Sequence, residues 1–386
     1  MTEPQLTRLE LLRRGALGGA ALTVPGLLAA CGGSGIKSAG TTTAAGTTTT
    51  EETLAKTLTI SNWPYYIDTV KNRHPTLDQF KSKFGVTVKY VEDVNDNDSY
   101  FGKVQAPLRQ GQSIDRDIMV LTDWMAARMV RLGWLETLDD GAIPNKKNLV
   151  PALAHPSWDP QRKYSLPWQS FLTGIGYDPD KVGKEVTTLD DLLDPKLKGK
   201  VTMLSEMIDT IGLIMLSEGD DPAKVTKASF DKAMAKLKKA ISSGQIRQFT
   251  GNDYGPLLAK GDVWAAVAWS GDIIGLQPDN PNLRFAIPKE GGMIATDNML
   301  IPKGGNVFTA STYTNYVYDP AVMAKIEASV NYVPPVAGTK AALAKLDPAL
   351  AKNPLIFPDL SKLHAFDPQA ADNKAYKQRF QTAIGA

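Results

Sequence analysis

From Leu58 onward, short apolar runs with strand character alternate with segments of helical periodicity as far as the C-terminus, and this alternation constrains the fold more than any other feature. Strand-like runs stand at Leu58-Thr59-Ile60, Val86-Thr87-Val88, Asp117-Ile118-Met119-Val120, Lys200-Val201-Thr202-Met203 and Val263 to Ala268. Between them, apolar residues recur every three or four positions: Leu77, Phe80 and Phe84, then Phe230, Met234, Leu237 and Ile241, then Val322, Ile326 and Val330. The pattern predicts an α/β fold. A chain of 386 residues has room for two domains, and it shows no internal repeat.

Residues 1–31 read as an export signal ending in a lipobox. Arg13-Arg14 precede an apolar stretch, Gly15 to Ala30, which closes in Leu28-Ala29-Ala30-Cys31-Gly32. Small residues before the cysteine suit a peptidase that cuts there once the thiol carries a lipid, and the acyl chains then hold the protein at a membrane. The alternatives are a core helix with a structural cysteine and a membrane-spanning anchor. Against the second, the stretch is short and broken by Gly18, Gly19, Pro25 and Gly26. Against the first, residues 32–56 follow at once as a Gly/Ser/Ala/Thr-rich linker too polar to order itself by burial. The Arg-Arg pair resembles a twin-arginine signal. The expected location is therefore exported, lipid-anchored at the outer face of the cell membrane, or periplasmic.

Several chemistries are missing. Cys31 is the single cysteine, which excludes an intrachain disulfide and a Cys/His zinc site. His74, His155 and His364 lie far apart and outside any ligand cluster. No GxSxG elbow, GxGxxG turn or GxxxxGK[ST] loop occurs, so neither an enzyme mechanism nor a cofactor is expected. With 43 basic and 41 acidic side chains spread along the chain, nucleic acid is not an expected partner.

What remains is a set of aromatics and carboxylates after strands, where open α/β sheets hold their ligands: Trp63, Tyr65, Tyr66, Trp124, Glu206, Asp209, Trp269, Asp272, Asp297 and Tyr332. Carboxylates offer charge-assisted hydrogen bonds to ammonium groups, while aromatic faces cover methylenes and add cation–π attraction. The set suits a small molecule with ammonium ends and an aliphatic middle. Each residue has a plainer reading as well: the aromatics as core, Glu206 and Asp209 as caps of a helix N-terminus, Asp272 and Asp297 as turn residues.

Ser61-Asn62-Trp63-Pro64-Tyr65-Tyr66 resembles the first-strand loop of bacterial spermidine/putrescine-binding proteins of polyamine ABC transporters. Asp117 to Trp124 resembles their second loop, and Leu166-Pro167-Trp168 with Gly174-Ile175-Gly176-Tyr177 their domain crossover. Thr188 to Pro195 with Leu197-Lys198-Gly199-Lys200-Val201 is the most specific stretch, followed by Ala268-Trp269-Ser270-Gly271-Asp272, Pro288 to Gly292 and Asn331 to Pro335.

The resemblance implies a two-lobed periplasmic-binding-protein fold, type II-like, with two chain crossings between lobes, near Trp168–Tyr177 and Ala295–Asp297. Lobe 1 would take residues 57–170 and 296–340, and lobe 2 residues 171–295 and 341–386. It implies that Trp63 and Tyr66 wall a polyamine cleft opposite Thr122 and Trp124, that Trp269 and Tyr332 pack along the methylenes, and that Glu206, Asp209, Asp272 and Asp297 meet the nitrogens. A monomer that delivers its ligand to a permease and its ATPase is expected. Two departures stand out: Pro64-Tyr65 replace the family's Ser/Thr then Asp/Glu, and Ala295 replaces an aromatic. Two other functions compete, a ferric-binding protein using Tyr65-Tyr66 and an exported hydrolase using Glu206 and Asp209.

Overall fold

A computed structural model describes residues 53–385, so the export signal, Cys31 and most of the linker lie outside the described residues. The first half of the sheet is built from β1 (Thr57–Asn62), β2 (Thr87–Glu92) and β3 (Ile118–Thr122), with helices α1 (Pro75–Phe84), α2 (Asn97–Arg109) and α3 (Asp123–Leu132). The second half uses β5 (Val201–Leu204), β6 (Ile246–Thr250) and β7 (Ala265–Trp269), with α4 (Met207–Ser217), α5 (Lys227–Ser242), α6 (Tyr254–Lys260) and α7 (Ser270–Leu276). Within each half the strands pair parallel, as expected where helices make the crossovers. The runs and faces marked in the sequence fall in β1, β2, β3, β5 and β7, and in α1, α5 and α9 (Pro320–Val330).

Two long strands join the halves. β4 (Ser165–Tyr177) and β9 (Gly292–Leu300) pair antiparallel along almost their whole lengths, giving the order β2-β1-β3-β9-β4-β7-β5-β6. β9 pairs with β3 through Asp297 to Leu300, while β4 pairs with β7 through Thr173 to Tyr177. Each strand thus begins in one half and ends in the other. The result is a two-lobed α/β architecture with two chain crossings, the arrangement expected of a type II periplasmic-binding-protein fold.

Every residue of β4 is buried, so the strand has no alternating pattern to find in the sequence. Pro167 lies where the ladder with β9 slips register, the position in a sheet that tolerates a missing N–H. Gly174 and Gly176 are required by close approach: a Cβ would fall 2.5 Å from Ala286 O at the first and 2.4 Å from Ile273 Cδ1 at the second. Ala286 belongs to a short strand, β8 (Arg284–Ala286), that pairs with the end of β4.

After β9 the chain forms α8 (Val307–Val317) and α9, which pack beside α1 and the first half of the sheet. The sequence assigns residues 341–386 to the second lobe. α10 (Thr339–Leu346) packs on α9, with Leu343 and Ala351 buried against Ala324. The apolar spacing of α10 shows that it buries a face but not against which helix, and in the structure that helix is α9. β10 (Leu363–His364) then pairs with the Gly292–Met293 end of β9, and α11 (Pro368–Ala371) and α12 (Lys374–Ile384) lie across both halves. No helix among the described residues is long and apolar enough to cross a membrane.

Candidate functional site

Where the halves meet, a small cavity is lined by Trp63, Pro64, Tyr66, Thr122, Phe171, Glu206, Ile208, Asp209, Asn252, Trp269, Asp297 and Tyr332. Eight of these were singled out in the sequence. None of the twelve is Lys or Arg, and three are carboxylates.

Asp297 sits on β9 directly opposite Thr122 of β3 and Gln169 of β4, where three strands converge. Its carboxylate accepts hydrogen bonds from Tyr66 Oη (3.0 Å) and Thr122 Oγ1 (2.7 Å). Thr122 Oγ1 in turn accepts from Asn97 Nδ2 at 2.9 Å. The same amide nitrogen donates to Glu206 Oε1 (3.0 Å), and the Asn97 backbone N–H donates to that oxygen as well (2.9 Å). Asn97 opens α2, so its N–H is one of the donors that a helix leaves unused at its start. Glu206 precedes α4 yet makes no cap on it. It reaches instead across to the N-terminus of a helix in the other half, which sets aside the capping reading for this residue.

Asp209, in the first turn of α4, accepts from the Thr173 hydroxyl through Oδ1. Its Oδ2 is buried without a hydrogen bond; the Trp269 indole N–H is near enough to lower the pKa of the acid but does not bond to it. Asn252 Oδ1, also on the cavity wall, is likewise buried without a donor.

Burial pushes all three cavity carboxyls up, Glu206 to about 8 and Asp209 and Asp297 to about 7. For Asp297 the hydroxyls of Thr122 and Tyr66 oppose the shift, and the charges of Asp123 and Asp209 add to it. For Glu206 the Asn97 N–H opposes it, while Asp98, Asp209 and Asp96 add. The acids therefore feel one another, and the wall is a concentrated acceptor surface with no basic side chain to neutralise it.

The apolar walls are aromatic. Trp63 is fixed by its indole N–H to Val120 O (3.1 Å) and meets Trp269 edge to face, with centroids 6.1 Å apart at 79°. Tyr66 and Tyr332 form a second edge-to-face pair at 5.0 Å and 82°. Phe171, directly across the ladder from Ala295, contacts Trp269 at 5.9 Å. Phe171 thus presents an aromatic side chain to the cavity from the position paired with Ala295.

Three sequence candidates stand outside the cavity wall. Asp272 is behind it, accepting from Tyr254 Oη (2.7 Å), Asn252 Nδ2 (3.0 Å) and Tyr332 Oη (2.9 Å), which holds the Tyr332 ring at the cavity. That ring passes over Gly271, where a Cβ would fall 2.6 Å from Tyr332 Cε2. Trp124 is buried at the start of α3 with the Lys377 ammonium 3.9 Å from its ring centroid. Tyr65 is half-buried in a left-handed backbone conformation (φ 61°), and its N–H donates to Glu92. Pro64, Phe171, Ile208 and Asn252 line the cavity without having been selected from the sequence. Phe171 lay within the recognised crossover but carried no polar signal, and Asn252 stands in no motif.

The family described as bacterial extracellular solute-binding proteins matches residues 76–358. The chain belongs to that family. The putrescine-binding periplasmic protein PotF of Escherichia coli is 31% identical over 328 residues, 78% of this chain and 83% of PotF. Spermidine/putrescine-binding periplasmic protein 1 of Haemophilus influenzae is 25% identical over 350 residues, 89% of this chain and 95% of the relative. Among solved structures, the TpPotD lipoprotein of Treponema pallidum superposes with a TM-score of 0.72 at 20% identity, covering 86% of this chain and all of that one, and so supports the fold.

Proposed function

We propose that this protein captures a polyamine, putrescine or spermidine, between its lobes and delivers it to the permease of an ABC importer. One observation carries the reading: the cavity wall buries three carboxylates and two acceptor atoms without donors, Asp209 Oδ2 and Asn252 Oδ1, and includes no basic residue. Only a ligand rich in positively charged donors completes such a wall. The named ligands of the two relatives have that chemistry.

In this reading Asp297, Asp209 and Glu206 take the ligand nitrogens, and Trp63, Tyr66, Phe171, Trp269 and Tyr332 cover the methylenes. Thr122 and Asp272 act by holding Asp297 and Tyr332, while Tyr65 and Trp124 make no direct contact. The lobes move about β4 and β9 near residues 170 and 296, and Cys31 carries a lipid that keeps the protein beside its permease at the outer face of the membrane. Calorimetry with putrescine, cadaverine, spermidine and spermine tests the proposal. Saturable binding of at least one is expected; no heat with any of the four, beside binding of an anionic solute, would overturn it.

The competing functions lose their footing. The ferric reading needed both phenols of Tyr65 and Tyr66, and only Tyr66 lines the cavity, with its hydroxyl donated to Asp297. The hydrolase reading is not favoured by relatives that are binding proteins.

A further inference from the structure

We propose that Lys377, a lysine of the chain itself, fills an ammonium position beside Trp124, just beyond the Glu206 side of the cavity, and so restricts the ligand to diamines. The inference rests on the polyamine reading and deepens it to a ligand length.

Lys377 belongs to α12, whose base is fixed on the second half. Tyr376 stacks on Phe230 at 4.0 Å and 15°, Arg379 pairs with Asp231 at 2.7 Å, and Phe380 packs against Phe249. From there the Lys377 side chain, only 8% exposed, crosses to the first half. Its ammonium lies over the ring of Trp124 and donates to Asp98 Oδ1. Asp98 follows Asn97, the residue that binds Glu206 on the cavity wall, and Glu206 in turn acts on the charge of Lys377.

An aromatic face with a carboxylate beside it is the arrangement that the cavity offers a ligand nitrogen. Trp124 and Asp98 make one more such place, already occupied by an ammonium on a tether. A second cation there would meet the Lys377 charge at close range, over a ring and beside a carboxylate that the lysine already uses. The space left to a ligand therefore stops at Glu206. A diamine can span from Glu206 to the Asp209–Asp297 side; the longer spermidine would have to run on past Glu206, where the Lys377 ammonium already stands.

Replacing Lys377 by Ala removes the charge and bares both Trp124 and Asp98, turning the filled place into an open one. Arg128 Nη1, 4.0 Å from Asp98, keeps part of that carboxylate compensated and limits the gain. The test is calorimetry on the full chain with putrescine and spermidine, reading the ratio of the two Kd values. The parent and K377R, which keeps the charge, should both prefer putrescine. K377A should move the ratio toward spermidine by about tenfold, the scale of one cation–π contact with a partly compensated ion pair. K377M keeps the methylene stem on Trp124 and should move the ratio the same way by less, which serves if K377A does not fold. A parent that prefers spermidine, a ratio unchanged within about twofold, or equal weakening of both ligands would overturn the proposal, the last by making Lys377 only a clasp between the lobes. A parent that binds no amine at all would instead remove the polyamine reading, and this proposal with it.

Discussion

Replacing Asp297 by Asn tests the centre of the site with almost no change of shape. In the parent the carboxylate accepts from Tyr66 Oη and Thr122 Oγ1, and both hydroxyls have other roles open to them. Thr122 Oγ1 already accepts from Asn97, and a phenol can accept as well as donate, so an amide at 297 can keep two hydrogen bonds without moving the strand. What it cannot do is meet an ammonium with a charge. A hydrogen bond to a charged group contributes about 1.5–3 kcal/mol, so putrescine and spermidine should bind about tenfold to a hundredfold more weakly. A second signature follows from burial. Burial pushes the Asp297 carboxyl up to about 7, so near pH 7 part of the population must lose a proton when a cation arrives. Calorimetry in two buffers of different ionisation enthalpy should show proton release in the parent and less of it in the Asn variant. Binding within twofold of the parent, with the same proton release and an unchanged melt, would refute the assignment of Asp297 to a ligand amine.

Ligand-free stability should fall as pH rises. Glu206, Asp209 and Asp297 ionise near 4 when unfolded and at about 7 to 8 when folded, so the penalty is absent below about pH 4, grows through neutrality and is complete above about pH 8. Scanning calorimetry between pH 5.5 and 8.5 should show a lower Tm at the higher pH, and the difference should shrink with saturating polyamine. Gly271→Ala would place a Cβ 2.6 Å from Tyr332 Cε2, so it should displace the ring and with it the hydrogen bond to Asp272, costing about 1–3 kcal/mol in a denaturant melt and weakening binding. Cys31→Ala should leave the protein in the soluble fraction, which fractionation of cells would read directly. Small-angle scattering should show a more compact particle with ligand than without, and identical profiles would count against closure.

The parts of the fold legible in the sequence were those with a local period. α1, α5 and α9 announce themselves by the spacing of one apolar face, and β1, β3 and β7 by short apolar runs before polar turns. β4 and β9 were visible only as a resemblance, because a strand buried throughout carries no alternation. The packing of α10 on α9 was not legible for a related reason: its period shows a buried face but not the partner that covers it. Among site residues, Trp63, Tyr66, Glu206, Asp209 and Asp297 could be named because each is a polar or aromatic residue just beyond a strand or at its crossing. Trp124 looked the same in sequence, and only the fold brings the Lys377 ammonium, more than two hundred residues away, onto its ring. Asn97 gave no signal, although it connects Glu206, Thr122 and through Thr122 the carboxylate of Asp297.

These features explain why closure should depend on the ligand. In the closed form without a cation, each cavity carboxyl is either charged in a nearly dry wall or protonated at the expense of its ordinary pKa. For Asp297, a rise from 3.8 to about 7 corresponds to a penalty on the order of 4 kcal/mol above neutral pH, and Glu206 and Asp209 add terms of the same sign. The hydrogen bonds that join the halves at this wall, from the Asn97 backbone and side chain to Glu206, offset part of that penalty but bring no charge to Asp209 or Asp297. An amine that enters replaces the missing solvation of the carboxylates only when both halves surround it, so its binding energy differs between open and closed forms, as a population shift requires. A neutral solute of the same shape could fill the aromatic walls but would leave the acids uncompensated. The carboxylates therefore select the charge of the ligand and, by the same interaction, make the closed form conditional on it.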